Sequence, residues 1–178
     1  MGIDRKSDSM PHPVEAIVAL GGNIGDVKQC FIAARTMLTA TSDIRLLESS
    51  LLYRSAPMGP QDQADYLNAV VAVTTTLSAL QLLHRLQKTE LYFGRRRDGP
   101  RWGERTLDLD LVAYNDTQMQ SSELTLPHPG MQDRLFVLQP LRDIRPDWLH
   151  PATGKRASSM LQQLFQTGET PLDEGEIW

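Results

Sequence analysis

The chain is short of several things, and each shortage closes a class of answer. Its 178 residues hold one cysteine, Cys30, so an internal disulfide framework is ruled out. Positive charge is in deficit: 18 Lys and Arg stand against 22 Asp and Glu, a formal net charge of −4. A general nucleic-acid binder is usually basic, so that class is disfavoured. No apolar run approaches the length that spans a bilayer. The opening MGIDRKSDSMPHP lacks the apolar centre of a secretory signal, so a cytoplasmic chain without a membrane partner is expected. There is no Gly-x-x-x-x-Gly-Lys-Ser/Thr, hence no P-loop. The four histidines (12, 84, 128 and 150) have no zinc-like spacing with Cys30.

What remains is ordinary in bulk. With 40% apolar and 22% charged residues, the length suits one domain, 1–178, with a sizeable core. Residues 1–12 are expected to be loose. Residues 166–178 read as an acidic, mobile tail.

One stretch stands apart: Arg101-Trp102-Gly103-Glu104-Arg105-Thr106-Leu107-Asp108-Leu109-Asp110-Leu111. It reads as an arginine-rich loop running into a strand. Strand side chains alternate faces. Leu107, Leu109 and Leu111 therefore face a core, while Thr106, Asp108 and Asp110 share the other face. The two carboxylates lie about 7 Å apart along the strand. Like charges so placed call for cations.

Around this stretch the elements follow from periodicity. Val14–Leu20 is a strand ending in the turn Gly21-Gly22-Asn23. Asp26 caps a helix to Ala40 whose stripe is Val27, Cys30, Phe31, Ala34, Met37 and Leu38. Cys30 on that stripe reads as a small core hydrophobe. Ile44–Tyr53 is a strand whose phase changes near Glu48-Ser49, as at a bulge. A shaped loop, Arg54–Ala64, leads to a strand over Leu67–Thr76. Its Leu67, Ala69, Val71 and Val73 share one face, and Tyr66 and Asn68 the other. Ser78 caps a helix over Ala79–Phe93, stopped by Gly94. Glu90 is the misfit on its inner stripe: either an edge residue in water, or the partner of a nearby arginine. The acidic strand Thr106–Tyr114 follows, then a long irregular stretch, a helical patch over 132–145 broken by Pro140, and a short helix at Ser158–Phe165.

Strand, helix, strand, strand, helix, strand is the order of a repeated split β-α-β unit. The expected class is α+β: a ferredoxin-like βαββαβ antiparallel sheet, helices on the leucine face, and a C-terminal appendage. The opposite face would carry Tyr66, Asn68, Asp108 and Asp110, and with them the active surface.

Two aspartates at i and i+2 suit hard cations such as Mg²⁺, which takes oxygen ligands and is usually shared with substrate phosphates. Alone the pair is a weak signal, because many strands carry two solvated acids. Arginines at 95, 96, 97, 101 and 105 strengthen it, because guanidinium groups bind phosphate bidentately and stay charged. Acids for metal beside arginines for phosphate are the parts of phosphoryl transfer. His128, in Leu-Pro-His-Pro before Arg134, reads equally as a phosphate contact or a structural loop residue.

Four runs carry a resemblance: A-L-G-G-N-I-G-D, Y-R-S-A-P-M-G-P-Q-D-Q-A-D-Y-L-N, G-R-R-R with R-W-G-E-R-T-L-D-L-D, and L-P-H-P with R-L-F-V-L. Over about residues 14–165 the chain resembles the 6-hydroxymethyl-7,8-dihydropterin pyrophosphokinase family. That family moves the pyrophosphoryl group of ATP to the pterin's hydroxymethyl oxygen, releasing AMP. The resemblance implies that Asp108 and Asp110 hold two Mg²⁺, and that Arg95 and Arg105 engage the phosphates. It implies a pterin pocket from Ser55, Ala56, Met58, Tyr66, Asn68 and Phe136. It implies ATP contacts at Gln87, Arg97, Trp102, Leu111, His128 and Arg134, with Trp102 helping to close the site. ATP is the expected co-substrate, and a monomer is expected. Two positions depart from the family: Gly22 stands where Ser is usual, a small change in a turn, and Asp98 where a basic residue is common.

Two rivals share the topology. RNA-recognition domains use exposed aromatics on the sheet, but here that face carries aspartates and no aromatic-rich RNP run occurs. A two-metal nucleotidyl transferase or nuclease leaves the Tyr66, Asn68 and Phe136 pocket unexplained.

Overall fold

A computed structural model of the chain describes residues 12–60, 62–95 and 103–178. The elements run β1 (Val14–Gly22), α1 (Val27–Leu38), β2 (Ile44–Ser49), β3 (Tyr53–Ser55), β4 (Tyr66–Thr75), α2 (Ala79–Tyr92) and β5 (Asp108–Tyr114). A small hairpin, β6 (Met119–Gln120) and β7 (Thr125–Leu126), precedes a 3₁₀ turn at Met131–Asp133. Helices α3 (Leu135–Ile144) and α4 (Ala157–Gln166) complete the order.

The main sheet is antiparallel in the order β2-β4-β1-β5, with β3 also paired to β4. This is the ferredoxin-like arrangement the element order implies. The helix starts behave as expected. Asp26 accepts from the Gln29 N–H at 3.1 Å, and Ser78 and Gln81 form a reciprocal capping box. Of the α1 stripe, Val27, Phe31, Ala34 and Leu38 are buried and Cys30 partly so, while Met37 faces solvent. The expected strand 44–53 is two strands. The β2–β4 register shifts between Leu46 and Glu48, where the phase change falls. Ser50 then turns inward, exchanging bonds with Val70 at 2.9 Å in both directions.

One layer behaves as the alternation requires. Ala16, Val18, Leu20, Ala69, Val71, Val73, Leu109 and Leu111 pack against α1 and α2. The opposite face differs from expectation, because it is not left open. Ile17, Val70, Ala72 and Val112 lie beneath Val137, Leu138, Leu141, Met160 and Leu161 of α3 and α4. The C-terminal appendage is a second helical layer over half of the sheet. Pro140 does not break α3, which runs through it. An interior proline costs about 3 kcal/mol. Burying Leu135, Val137, Leu138, Leu141 and Ile144 at about 2 kcal/mol each outweighs it.

The acidic segment after α4 is also not loose. Gln139 holds Leu172 by two bonds, of 2.9 and 3.3 Å. Glu176 pairs with Leu52 through both backbone groups. The Trp178 ring stands edge-on to Phe31 and lies under the Arg35 guanidinium. Among the described residues no helix is long and apolar enough to cross a membrane.

Candidate active site

Because α3 and α4 cover only half of the second face, the other half is the floor of a cleft. Two cross-strand rows form it. Asn68, Gly21 and Asp108 stand side by side on β4, β1 and β5, and Val70, Ala19 and Asp110 form the next row. Gly21 carries no side chain, so bare backbone lies between the amide and the carboxylate. Ser55, Ala56, Met58 and Tyr66 rise on one flank, and Arg134 and Phe136 of the α3 entry on the other. The cleft is partly open to solvent. Met58 stands exposed at its mouth.

The floor is a charge network. Arg105 Nη1 lies 2.5 Å from Asp108 Oδ2, and Arg95 Nη1 lies 2.5 Å from Asp108 Oδ1. Arg95 also pairs with Glu90. Glu90 sits on the inner face of α2 with 1% of its surface exposed. Its Oε1 accepts the Leu109 N–H at 2.7 Å. The open question about Glu90 is thus answered in favour of a paired, buried carboxylate. Burial raises its pKa; the Leu109 N–H and Arg95 pull it down, and Asp108 pushes it further up. For Arg105 burial acts to lower the pKa, but Asp108 outweighs it and the group is held firmly charged.

Asp110 lies in the next row of the floor. Arg134 Nη1 is 3.8 Å and His128 Nε2 3.9 Å from its Oδ2. Protein crowds it, yet 41% of its side chain remains open to the cleft. Burial first, then the Asp108 charge, holds its pKa above the ordinary carboxylate value, against His128, Arg134 and Arg95.

The donor set fits Mg²⁺. It is all oxygen, and among the described residues no cluster of three or more His, Cys, Asp or Glu could hold a metal unaided. Two carboxylates leave most coordination positions to water and phosphate, which is how Mg²⁺ is usually shared with a substrate. Asp108 Oδ1 is buried and faces the Arg95 guanidinium at 2.5 Å.

Asn23, read from the sequence only as a turn residue, is the joint between the two flanking loops. Its Oδ1 accepts the Arg105 N–H at 2.9 Å, and its Nδ2 donates to Ala64 O at 2.9 Å and Gln63 Oε1 at 3.2 Å. Its amide accepts and donates at once, but in sequence nothing separates it from any other turn asparagine. Gly22 is more than a small change in a turn, since a Cβ there would sit 2.7 Å from Thr106 O. The Tyr66 hydroxyl donates to Gly103 O at 2.8 Å, tying the far side of the same loop.

Not every expected residue reaches the cleft. Leu111 is buried in the layer beneath α1 and α2, its side chain directed away from the floor by the same alternation that exposes Asp110. Only its backbone, on the edge strand, remains for a ligand. Gln87 lies one turn before Glu90 on α2 and does not line the cleft. His128 borders a neighbouring hollow beside Asp110. Arg97 and Trp102 lie outside the described residues. The face an RNA-recognition domain would present is half-roofed by α3 and α4.

Comparisons with known proteins agree with this geometry. Residues 17–146 match the family model 7,8-dihydro-6-hydroxymethylpterin-pyrophosphokinase. A 2-amino-4-hydroxy-6-hydroxymethyldihydropteridine pyrophosphokinase of Synechocystis sp. is 43% identical over 160 residues, covering 90% of this chain and 81% of the relative. The Haemophilus influenzae protein of the same name is 44% identical over 138 residues, covering 78% and 86%. A solved Plasmodium falciparum HPPK-DHPS with pteroate superposes with a TM-score of 0.67. It is 13% identical and covers 85% of this chain and 42% of that one, so it speaks for the fold alone. By model and by relatives, this chain belongs to the 7,8-dihydro-6-hydroxymethylpterin-pyrophosphokinase family.

Proposed function

We propose that the cleft takes a pterin at its Asn68–Phe136 end and the phosphates of ATP over Asp108 and Asp110. The pyrophosphoryl group then passes to the hydroxymethyl oxygen of 6-hydroxymethyl-7,8-dihydropterin. Family membership makes the chain an ATP-dependent pyrophosphokinase of folate biosynthesis. One observation carries the proposed roles: an amide that can read a ring edge and two carboxylates ringed by arginines share adjacent rows of one bare floor.

Asn68 offers a donor and an acceptor to the heterocycle edge, and Phe136 offers a face to stack on it. Asp108 and Asp110 would hold two Mg²⁺, which when bound neutralise polyphosphate charge and polarise the phosphorus under attack. Arg95 and Arg105 exchange Asp108 for phosphate oxygens, and Glu90 keeps Arg95 anchored as they do so. Arg134 and His128 approach the nucleotide from the Asp110 side. The hydroxymethyl oxygen bonds to the β-phosphorus, the bridge to the α-phosphorus breaks, AMP leaves with the bridging oxygen, and the proton goes to solvent. Alignment and charge neutralisation carry such a step more than a strong base does, and no base is assigned.

The deciding assay supplies ATP, 6-hydroxymethyl-7,8-dihydropterin and Mg²⁺ and follows the nucleotide products. AMP in step with pterin diphosphate is expected. ADP in its place, or no turnover, would overturn the reading. Asn68→Ala should weaken pterin binding by about tenfold to a hundredfold, the worth of one or two lost ring-edge bonds. Calorimetry with a non-hydrolysable ATP analogue should show little change. The reverse pattern would place the pterin elsewhere.

A further inference from the structure

The segment after α4 is long, acidic and without regular structure, yet it is held at several points. Gln139, Phe31 and Arg35 anchor it, and three of its residues, Gly175, Glu176 and Trp178, meet residues 50–53, immediately before the wall of the cleft formed by Ser55, Ala56 and Met58. Besides the Glu176–Leu52 pairing, at 2.9 and 3.0 Å, the Trp178 Nε1 donates to Ser50 O at 2.8 Å. Gly175 lies flat over Leu51 and the Tyr53 ring. A Cβ at Gly175 would stand 2.6 Å from Leu51 Cβ and 3.0 Å from two Tyr53 ring atoms. Trp178 is itself fixed by Phe31, at 5.9 Å between ring centroids, and by Arg35, whose guanidinium carbon is 4.3 Å from its ring centre.

What this grip holds is a weak element. Strand β3 has three residues and one neighbour in the sheet, β4. Short strands with one neighbour open readily. Its register sets Tyr53 against Asn68 and Ser55 against Tyr66. The Asn68 Nδ2 donates to Ser55 Oγ at 2.9 Å. The aim of the Asn68 amide therefore depends on Ser55, and Ser55 depends on where β3 lies. Ser55, Ala56 and Met58 also line a second, open hollow, together with Glu169, Pro171 and Leu172. The wall has the cleft on one side and this segment on the other.

We infer that residues 172–178 are a strap that holds β3 in register and so aims the Asn68–Ser55 pair at the pterin, with Gly175 as a positioning residue. The inference rests on the pterin reading of the cleft. A strap that served stability alone would, when released, lower the melting temperature without favouring one ligand over the other. A strap that aims the wall loosens the pterin and spares the nucleotide, whose phosphates rest on β5 and the α3 entry.

The test is Gly175→Val in the full chain, with two readouts. By calorimetry the pterin Kd should rise about tenfold while the ATP-analogue Kd stays within about twofold. Without any ligand, amide hydrogen exchange should quicken at Leu52, Ser55, Ala56 and Met58. If that variant does not fold, Trp178→Ala removes the far anchor and is read the same way. Trp178→Phe, which keeps an aromatic ring against Phe31 and Arg35, should restore most of the affinity. An unchanged pterin Kd alongside quickened exchange at Leu52 overturns the inference, and so does equal weakening of both ligands. If the unmodified chain binds no pterin, the functional reading fails. The strap then stands or falls on exchange at Ser55, Ala56 and Met58 alone.

Discussion

Asp110→Ala should lower the rate of AMP formation at least about a hundredfold, the scale on which directed charge stabilisation is lost, and leave the melting temperature nearly unchanged. The asymmetry follows from the floor. Asp110 keeps 41% of its side chain open, and the Arg134 guanidinium and the His128 ring stand 3.8 and 3.9 Å away. Removing it breaks no tight pair and leaves no buried polar atom unsatisfied. It does relieve the crowding that raises its pKa. Folding therefore loses little, while a metal ligand is lost outright. Asp108→Ala is expected to cost as much rate, but it also strips a partner from both Arg95 and Arg105, so its stability loss complicates the reading. Turnover under saturating Mg²⁺ and both substrates, with a thermal melt beside it, separates the two. An Asp110→Ala enzyme with near-full turnover would remove the metal-platform assignment.

Glu90→Leu should be the costliest substitution for stability near the site. Its carboxylate is 1% exposed and holds the Arg95 guanidinium and the Leu109 N–H. Losing one member of a buried pair costs about 3–5 kcal/mol. Because Arg95 retains Asp108, the lower end is expected, about 3 kcal/mol or about 6–12 °C in a chain of this size. The Leu109 amide lies between the two aspartates, so β5 loses its outer tether at the point where the floor must be rigid, and turnover falls as well. Glu90→Gln keeps a carbonyl for that amide. It should melt within about 1 kcal/mol of the unmodified protein, with Arg95 less firmly placed and turnover reduced several-fold. Equal melting temperatures for the Leu variant and the unmodified chain would show that the pair contributes nothing to the fold.

The parts of the chain that were legible from sequence are those where a single period decides the outcome. The α1 and α2 stripes, the alternation along β5 and the Asp26 and Ser78 caps are local patterns, and the structure keeps them. Met37 fails because a stripe edge is set by where the sheet ends, which periodicity does not encode. The helical roof over half of the sheet was hidden for a related reason. Val70, Ala72 and Val112 are as apolar as the residues on the other face, so the strands encode two buried layers, but the proline inside α3 masks the helix that covers the second. The segment 166–178 read as loose because its composition is acidic. Its anchors are one glycine, one glutamine partner and one tryptophan, which composition does not weigh. At the site, Asp108 and Asp110 were legible because charge on a strand is conspicuous. Asn23 was not, because a residue that joins two loops by its side chain looks in sequence like any turn asparagine. Leu111 turns its side chain to the core, as its alternation with Asp110 requires, so a contact there falls to its backbone.

That alternation has a bearing on folding fidelity. Sliding β5 by one residue against β1 would carry Asp108 and Asp110 beneath α1 and α2 and turn Leu109 and Leu111 into the cleft. Two unpaired carboxylates in an apolar layer would cost far more than the chain's net stability can absorb. A misregistered molecule would therefore unfold rather than persist as an inactive copy. Selection for a working floor and selection for a correctly assembled sheet act on the same four side chains.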